Sequence, residues 1–405
     1  MKFFIRTLGC KMNWLDSARL GAALQSAGHH QVADEAAADH VFVNTCTVTA
    51  EAERKSRQTV KQVQQLVPQV VVMGCSPRVE GNHWQREQGR LVFADQAALF
   101  AQFGIETDEE RLPLQSRTRL PVAIQTGCDN ICSFCITRIA RGAHRNLPAP
   151  TIIQQIRLAE EHGIQEVILT GINLAAWGCE NSRQPEQARL HELLAQILEQ
   201  TTIPRIRISS IGPQFIQPGF WDVYADPRIC DHLHISLQSG SPEVLARMVR
   251  EHGTDEVAWM AEQARQRRPN TALVADIICG FPGETEAQHR QGLRFLDDCG
   301  FARLHVFPYS SREGTAAADY PEQVEVQRKK ARAADVRQLS RQLHQRFLQQ
   351  QLGKEVSVLL ESSGQQGLSS NYIRVNVPDG QMGEIRRLRL DTDNLAESLD
   401  NDKLT

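Results

Sequence analysis

The loop Gly127-Cys128-Asp129-Asn130-Ile131-Cys132-Ser133-Phe134-Cys135 places three thiols at the spacing C-x3-C-x2-C. Three thiolates this close can ligate three irons of a [4Fe–4S] cluster. No fourth cysteine lies nearby. That leaves the fourth iron open to a bidentate ligand, such as the amino and carboxylate groups of S-adenosylmethionine. A zinc knuckle is the competing reading, but it needs a fourth Cys or His at suitable spacing. His144 is the only near candidate. Spacing and context favour iron and sulfur.

Three more cysteines, Cys10, Cys46 and Cys75, are far apart in sequence yet share a setting. Each follows a short apolar run. The runs are Phe3 to Leu8, Val41 to Val43, and Val70 to Met73, with helical patterns between them. Strand-helix-strand alternation implies a parallel sheet. In such a sheet the carboxyl ends of the strands line one edge, where sites form. Three thiols at equivalent strand ends converge there. The competing reading is three separate buried cysteines, which are common core residues. Cys179, Cys230, Cys279 and Cys299 have no ligand spacing and read as structural.

The elements that must hold the Cys128 loop alternate again. Strand patterns fall at 121–125, 166–170, 205–210, 232–237, 273–278 and 303–308. Helical patterns fill 150–162, 187–199, 241–249 with 254–268, and 284–298. Six units predict a partial (β/α)6 barrel with its site at the carboxyl ends of the strands. The Cys128 loop follows the first of these strands. A long charged helix covers 321–352, and three strand-like runs with Gly and Asp-Gly turns predict a small all-β module after it. The expected domains are 1–107, a charged linker near Asp108 to Arg119, 120–350 and 351–392. The overall class is α/β with a small C-terminal all-β module.

Composition adds exclusions. The 405 residues are 41% apolar and 23% charged, ordinary for a globular chain, and the net charge is −3. A globally basic nucleic-acid binder is excluded, so any RNA contact uses local patches. No apolar stretch is long enough to span a bilayer. The start, Met1 to Arg6, is interrupted at Arg6 and lacks a cleavage site, so it is not read as a signal peptide. A cytoplasmic protein with no membrane partner is expected.

Several motifs resemble one family across nearly the whole chain. C-x3-C-x2-C with Phe134 before the last cysteine is the radical S-adenosylmethionine signature. Thr7-Leu8-Gly9-Cys10-Lys11-Met12-Asn13, Asn44-Thr45-Cys46-Thr47-Val48-Thr49 and Lys55-Ser56-Arg57-Gln58 precede it. Leu237-Gln238-Ser239-Gly240-Ser241, the run from Asp276 to Glu286, and His305-Val306-Phe307-Pro308-Tyr309-Ser310 follow. Together these resemble the methylthiotransferases. The Leu-Gly-Cys-Lys and Asn-Thr-Cys-Thr-Val-Thr forms look most like the branch acting on threonylcarbamoyladenosine in tRNA. The branches acting on isopentenyladenosine in tRNA or on a ribosomal protein are the alternatives. Departures from the pattern include Arg138, where many members carry Pro, and a C-terminal module that is short for the family's TRAM domain.

The resemblance implies two [4Fe–4S] clusters, the auxiliary one on Cys10, Cys46 and Cys75, the other on Cys128, Cys132 and Cys135. It implies S-adenosylmethionine as cofactor, with binding at Phe134 and at the strand ends marked by Gly171, Asn173, Ser209, Gln238 and Phe307. No catalytic side chain is singled out. The implied reaction abstracts hydrogen from C2 of a modified adenine and installs sulfur and a methyl group there. The implied partners are a tRNA anticodon loop, an electron donor and a sulfur source. The match of Asn371-Tyr372-Ile373-Arg374 to the TRAM domain implies RNA contact by the module. Stacking by Tyr372 and phosphate contacts by Arg374, Arg386, Arg387 and Arg389 are the expected means.

Overall fold

A computed structural model describes residues 1–79, 84, 89–106, 118–361 and 365–396. The expected linker falls largely outside the described residues. These residues form two compact units, one comprising 1–113, 126–145 and 310–318, the other 114–125, 146–309 and 319–405.

The first unit is built on a five-stranded parallel sheet. Its strands are β1 (Lys2–Thr7), β2 (His30–Gln31), β3 (His40–Thr45), β4 (Gln69–Gly74) and β5 (Arg90–Val92), in the order β2-β1-β3-β4-β5. Helices α1 (Lys11–Ser26), α2 (Ala50–Gln64), α3 (Ser76–Val79) and α4 (Gln96–Gln102) connect them. β3 is buried from Val41 to Thr45 because both faces of the sheet are covered. Phe3, Phe42 and Val71 pack with Leu20 and Leu24 in one cluster, while Val41, Val43 and Val72 pack with Val60 and Val63 in another. β1 pairs with β3 and β3 with β4, so these three central strands end at one edge.

In the second unit β6 (Arg119–Ala123) is the first barrel strand. β7 (Gln125–Thr126), α5 (Thr137–Arg141) and β8 (Arg145–Asn146) lie on the excursion that follows it. The barrel continues with α6 (Ala149–Glu161), β9 (Glu166–Thr170), α7 (Leu190–Gln200), β10 (Arg205–Ile208), α8 (Phe220–Tyr224) and β11 (His232–Gln238). It ends with α9 (Pro242–Arg247), α10 (Thr254–Arg267), β12 (Ala272–Cys279), α11 (Glu286–Cys299) and β13 (Arg303–Pro308). All six strands are parallel. They form two sheets, β10-β9-β6 and β11-β12-β13, joined by a bridge between Ile211 and Ile235. The long helix is α12 (Val326–Gln351). It leads into a four-stranded antiparallel module of β14 (Glu355–Leu360), β15 (Gln366–Ser369), β16 (Arg374–Asn376) and β17 (Ile385–Arg389).

The module caps the amino ends of the barrel strands. Val358, Leu360, Ile373 and Val375 share one core with Phe347 of α12 and with Ala272 and Ala302, at or just before the starts of β12 and β13. A buried ionic cluster adds specificity. Glu166, fully buried, holds Arg205 at 2.8 Å and Arg207 at 2.8 Å. Both arginines also donate to module carbonyls, Arg205 to Leu368 O at 3.1 Å and Arg207 to Ser370 O at 3.0 Å. Burial alone raises the Glu166 pKa, but the two guanidiniums outweigh it and hold the group down at about 2. Tyr372 belongs to this junction. Its ring stacks on His232 at 4.7 Å, with the Arg207 guanidinium 4.8 Å from its centroid. Tyr372 thus packs on barrel side chains at this junction while its residue stays 39% exposed.

Removing one member of such a cluster strands the others as buried charges. Glu166→Ala is expected to cost about 3–5 kcal/mol, read from urea unfolding at pH 7. The sign with pH follows from the depressed pKa. The contribution of Glu166 is complete above its ordinary value of 4.5 and is lost as pH falls towards 2. Between those limits the stability difference between native chain and variant should shrink; a constant difference would contradict the assignment.

Candidate functional site

The first three cysteines sit just past the three central strand ends. Cys10 follows β1 and caps α1, Cys46 follows β3, and Cys75 follows β4. The structure brings them together around one buried amide. Asn13, fully buried on the first turn of α1, donates from Nδ2 to Leu8 O at 2.8 Å and to Thr45 O at 2.9 Å. Those bonds fix its Oδ1, which faces Cys10 Sγ at 3.7 Å and Cys75 Sγ at 3.8 Å. Gly9, at φ +98°, lets the backbone pass close to the third thiol. A Cβ there would lie 2.9 Å from Cys46 Cβ and 3.2 Å from its Sγ.

Further bonds stitch the three loops. Cys75 N–H donates to Thr45 O at 3.0 Å, and Leu8 N–H to Asn44 O at 2.9 Å. Ser56, from the Lys-Ser-Arg-Gln run on α2, accepts from Cys46 N–H at 3.1 Å and lies 2.9 Å from the Cys46 carbonyl. All ten cysteines are free thiols. Burial pushes Cys46 up and Cys75 up to about 11, the nearby Arg141 charge opposing it. Both thiols therefore keep their protons near neutrality until a metal displaces them. Three converging thiols with no disulfide fit the open three-cysteine corner of a [4Fe–4S] cluster.

The second set lies on the loop between β7 and α5, within the same unit. Gly127 has φ +70°, and a Cβ would strike Ala143 O, so only glycine closes this loop. Cys128 N–H donates to Gly142 O at 3.0 Å and Cys135 N–H to Cys132 O at 3.1 Å. Thr137 N–H points at Cys135 Sγ at 3.4 Å. Cys128, Cys132, Cys135 and the adjacent Phe134 are all partly exposed, as ligands of an accessible cluster need to be. Segment 310–318 braces this loop against the sheet. Ala317 N–H donates to Ser133 O at 2.7 Å, Arg312 to Thr47 Oγ1 at 2.7 Å, and Ala50 N–H to Ser310 Oγ at 2.9 Å.

In the other unit, the residues expected at S-adenosylmethionine lie at carboxyl strand ends. Gly171 follows β9, where a Cβ would lie 3.0 Å from Gln125 O. Asn173 N–H donates to Gln125 Oε1 at 2.8 Å. Asn173 Nδ2 and Ser209 Oγ are buried with no hydrogen-bond partner among the described residues. Two such orphaned polar atoms at adjacent strand ends fit a polar ligand. Gln238 ends β11 with φ +76°, a conformation rare outside glycine, and Phe307 on β13 is exposed.

Sequence reasoning missed Asn13, Gln125, Arg141 and a polar trio on β11, β12 and β13. In that trio Asp276 Oδ1 accepts from His234 Nε2 at 2.9 Å and from His305 Nδ1 at 3.3 Å. Burial raises the Asp276 pKa, yet the two imidazoles hold it far below the carboxylate range. The available signal was one polar residue on each of three adjacent strands.

Residues 2–94 match the uncharacterized protein family UPF0004, and residues 122–296 match the radical SAM superfamily. The threonylcarbamoyladenosine tRNA methylthiotransferase MtaB of Bacillus subtilis is 31% identical, over 91% of this chain and 88% of that protein. MtaB of Rickettsia prowazekii is 30% identical, over 89% of this chain and 87% of that protein. The tRNA-2-methylthio-N(6)-dimethylallyladenosine synthase of Syntrophotalea carbinolica is 29% identical, over 90% and 89%. Among solved structures, the radical S-adenosylmethionine methyltransferase TsrM of Kitasatospora setae aligns with a TM-score of 0.54. The alignment covers 78% of this chain and 77% of that one at 14% identity, a likeness of fold.

The Asn13 amide is open to a direct test. Asn13→Leu takes the amide donor from Leu8 O and one of the two donors from Thr45 O, at about 1–3 kcal/mol, and removes the side-chain bridge between the loops after β1 and β3. In a chain whose Cys128, Cys132 and Cys135 are replaced by Ala, anaerobic reconstitution should load about four irons with Asn13 present and far fewer with Leu there. Equal iron in both would show that the amide does not organise the trio.

Proposed function

The chain belongs to the radical S-adenosylmethionine methylthiotransferases, and from that premise we propose that it methylthiolates C2 of N6-threonylcarbamoyladenosine beside the anticodon of a tRNA. The observation that carries the reaction class is the pair of three-cysteine sets folded into one compact unit. Cys128, Cys132 and Cys135 hold the cluster that binds S-adenosylmethionine. Cys10, Cys46 and Cys75 hold the auxiliary cluster. Together these groups supply, when bound, the radical that removes hydrogen and the sulfur and methyl group that replace it.

The protein's own residues orient and shield. Asn13 fixes the thiol geometry of the auxiliary site. Phe134 flanks Cys135 on the cluster loop, and at the barrel strand ends Gly171, Asn173, Ser209, Gln238 and Phe307 are the residues assigned to S-adenosylmethionine, with Asn173 Nδ2 and Ser209 Oγ offered to polar ligand atoms. In this reading residues 1–107 form the sulfur-donating domain, 120–350 the radical barrel and 351–392 an RNA-contacting module. An external donor supplies electrons and an external source replenishes sulfur. The Leu-Gly-Cys-Lys and Asn-Thr-Cys-Thr-Val-Thr forms support the threonylcarbamoyl substrate. The similar identity of a dimethylallyladenosine synthase supports the second reading, an isopentenyl-type adenosine.

Nucleoside mass spectrometry of tRNA from a strain lacking the gene separates the two. Loss of the methylthio form of threonylcarbamoyladenosine, with the parent nucleoside retained, is expected. Loss of methylthio-isopentenyladenosine instead would transfer the chain to the other branch. The cysteine sets should also separate by role. Replacing Cys128, Cys132 and Cys135 by Ala should abolish S-adenosylmethionine cleavage. Replacing Cys10, Cys46 and Cys75 should spare cleavage and abolish sulfur insertion, and full thiolation by that variant would refute the assignment.

Within the module, Arg374 pairs with Glu361 at 3.1 Å, Arg386 with Glu384 at 2.9 Å and Arg387 with Glu355 at 3.8 Å. Pairs this exposed are weak and exchange readily for phosphate. Truncation after Gly353 would remove core shared with α12, so point variants are the better probe. Arg387→Ala with Arg389→Ala should flatten the salt dependence of tRNA binding by roughly 0.7–0.9 log units per lost contact. An unchanged slope would leave the module as a packing cap.

A further inference from the structure

Arg141 has no part in the chemistry assigned so far, yet it is a largely buried, doubly hydrogen-bonded cation of the first unit. It ends α5, the helix that follows the Cys128/Cys132/Cys135 loop, and α5 packs on α3, which follows Cys75. Its side chain is only 12% exposed. The side chain crosses to α1, 125 and 128 positions earlier in sequence, where Nη1 donates to Asp16 Oδ2 at 2.6 Å and Nη2 donates to Asn13 Oδ1. That Asn13 oxygen is the atom facing Cys10 and Cys75 Sγ. Arg141 Nε is buried with no hydrogen-bond partner among the described residues. Burial works against its charge, but the Asp16 carboxylate beside it outweighs that and keeps the guanidinium protonated. Arginine suits the place because it stays charged when buried and presents its N–H groups in a fixed fork.

We propose that Arg141 is a positioning residue of the auxiliary iron–sulfur centre, holding a positive charge and an N–H beside the Cys10, Cys46 and Cys75 sulfurs while tying that centre to the helix after the cleavage-cluster loop. The inference rests on the assignment of those three cysteines as cluster ligands. Its physical content is a sign. Reduction adds negative charge to a thiolate-ligated cluster, so a nearby cation and N–H donors favour the reduced form and raise the potential. Asp16 partly cancels that cation. Removing Arg141 and removing Asp16 must therefore move the potential in opposite directions, whereas a merely structural bond predicts one direction for both or none.

The experiment uses the full chain with Cys128, Cys132 and Cys135 replaced by Ala, so that only the auxiliary centre can form. After anaerobic reconstitution, iron content is measured and the one-electron potential is read by dye-mediated dithionite titration with electron paramagnetic resonance. Arg141→Gln should lower the potential, by about 59 mV if the reduction equilibrium changes about tenfold. Arg141→Lys, which keeps the charge and loses the fork, should fall between it and the parent. Asp16→Asn should raise the potential. If Arg141→Gln fails to hold iron, Asp16→Asn decides alone: a rise supports the proposal, and no shift or a fall overturns it. Shifts of the same sign in the Arg141→Gln and Asp16→Asn variants, or unchanged potentials at full iron, also overturn it. Failure of the parent chain to bind iron refutes the cysteine assignment itself, before Arg141 is altered, and the proposal falls with it.

Discussion

Three thiols with no sequence neighbours meet because β1, β3 and β4 are adjacent parallel strands that end at one edge. The rest of the N-terminal unit depends on that constraint. A parallel sheet aligns strand ends in direction, but it does not by itself fix the loops leaving them. The Asn13 amide completes the arrangement by bonding the loop after β1 to the loop after β3. Its remaining oxygen is then pinned among the sulfurs, and α1 must start where it does for that to happen. The register of α1, the close pass at Gly9 and the Ser56 contact to Cys46 all serve the same convergence.

At the far end of the chain a different force dominates. The module is too small to bury a core alone. Its apolar face completes a core with α12 and the starts of barrel strands, and the Glu166 cluster fixes which face docks. Replacing such a cluster by apolar side chains is often stabilising in other proteins. Here the arginines also satisfy module carbonyls, so their charge and their hydrogen bonds are used together. The same cluster seats Tyr372, whose ring stacks on His232 with the Arg207 guanidinium 4.8 Å from its centroid.

Much of this was legible in the sequence, for physical reasons. The parallel strands of the barrel are short runs built around Ile, Leu and Val with helices between them, a pattern that layered α/β packing satisfies. The expected segments 166–170 and 303–308 coincide with β9 and β13. The cysteine trio was legible because strand ends are marked by the residues that stop a strand. The bonds that finish the site were not. Asn13 and Arg141 are polar residues whose partners lie tens to more than a hundred positions away, and no periodicity encodes such a pairing. The packing of Tyr372 on the barrel was not legible for a related reason. A motif shows that an aromatic is present at a turn, while the side chain's direction is decided by φ +71° there and by what lies beneath it.

The division of the chain into units carries a further consequence. Residues 126–145, which leave and rejoin the barrel, fold with the N-terminal sheet, as does segment 310–318. The bonds that place them there are specific: Arg141 to Asp16, Arg312 to Thr47, and Ala317 to Ser133. The Cys128 to Cys135 loop is thus a loop of the barrel by chain order and a part of the N-terminal unit by packing. Chemistry that draws on two clusters in one turnover needs their separation held within narrow limits. Building both cysteine sets into one unit sets that separation with local hydrogen bonds and ion pairs. In the other unit the carboxyl strand ends are built differently, with Asn173 Nδ2 and Ser209 Oγ buried and without a hydrogen-bond partner among the described residues, so polar valence is left there for a ligand to satisfy.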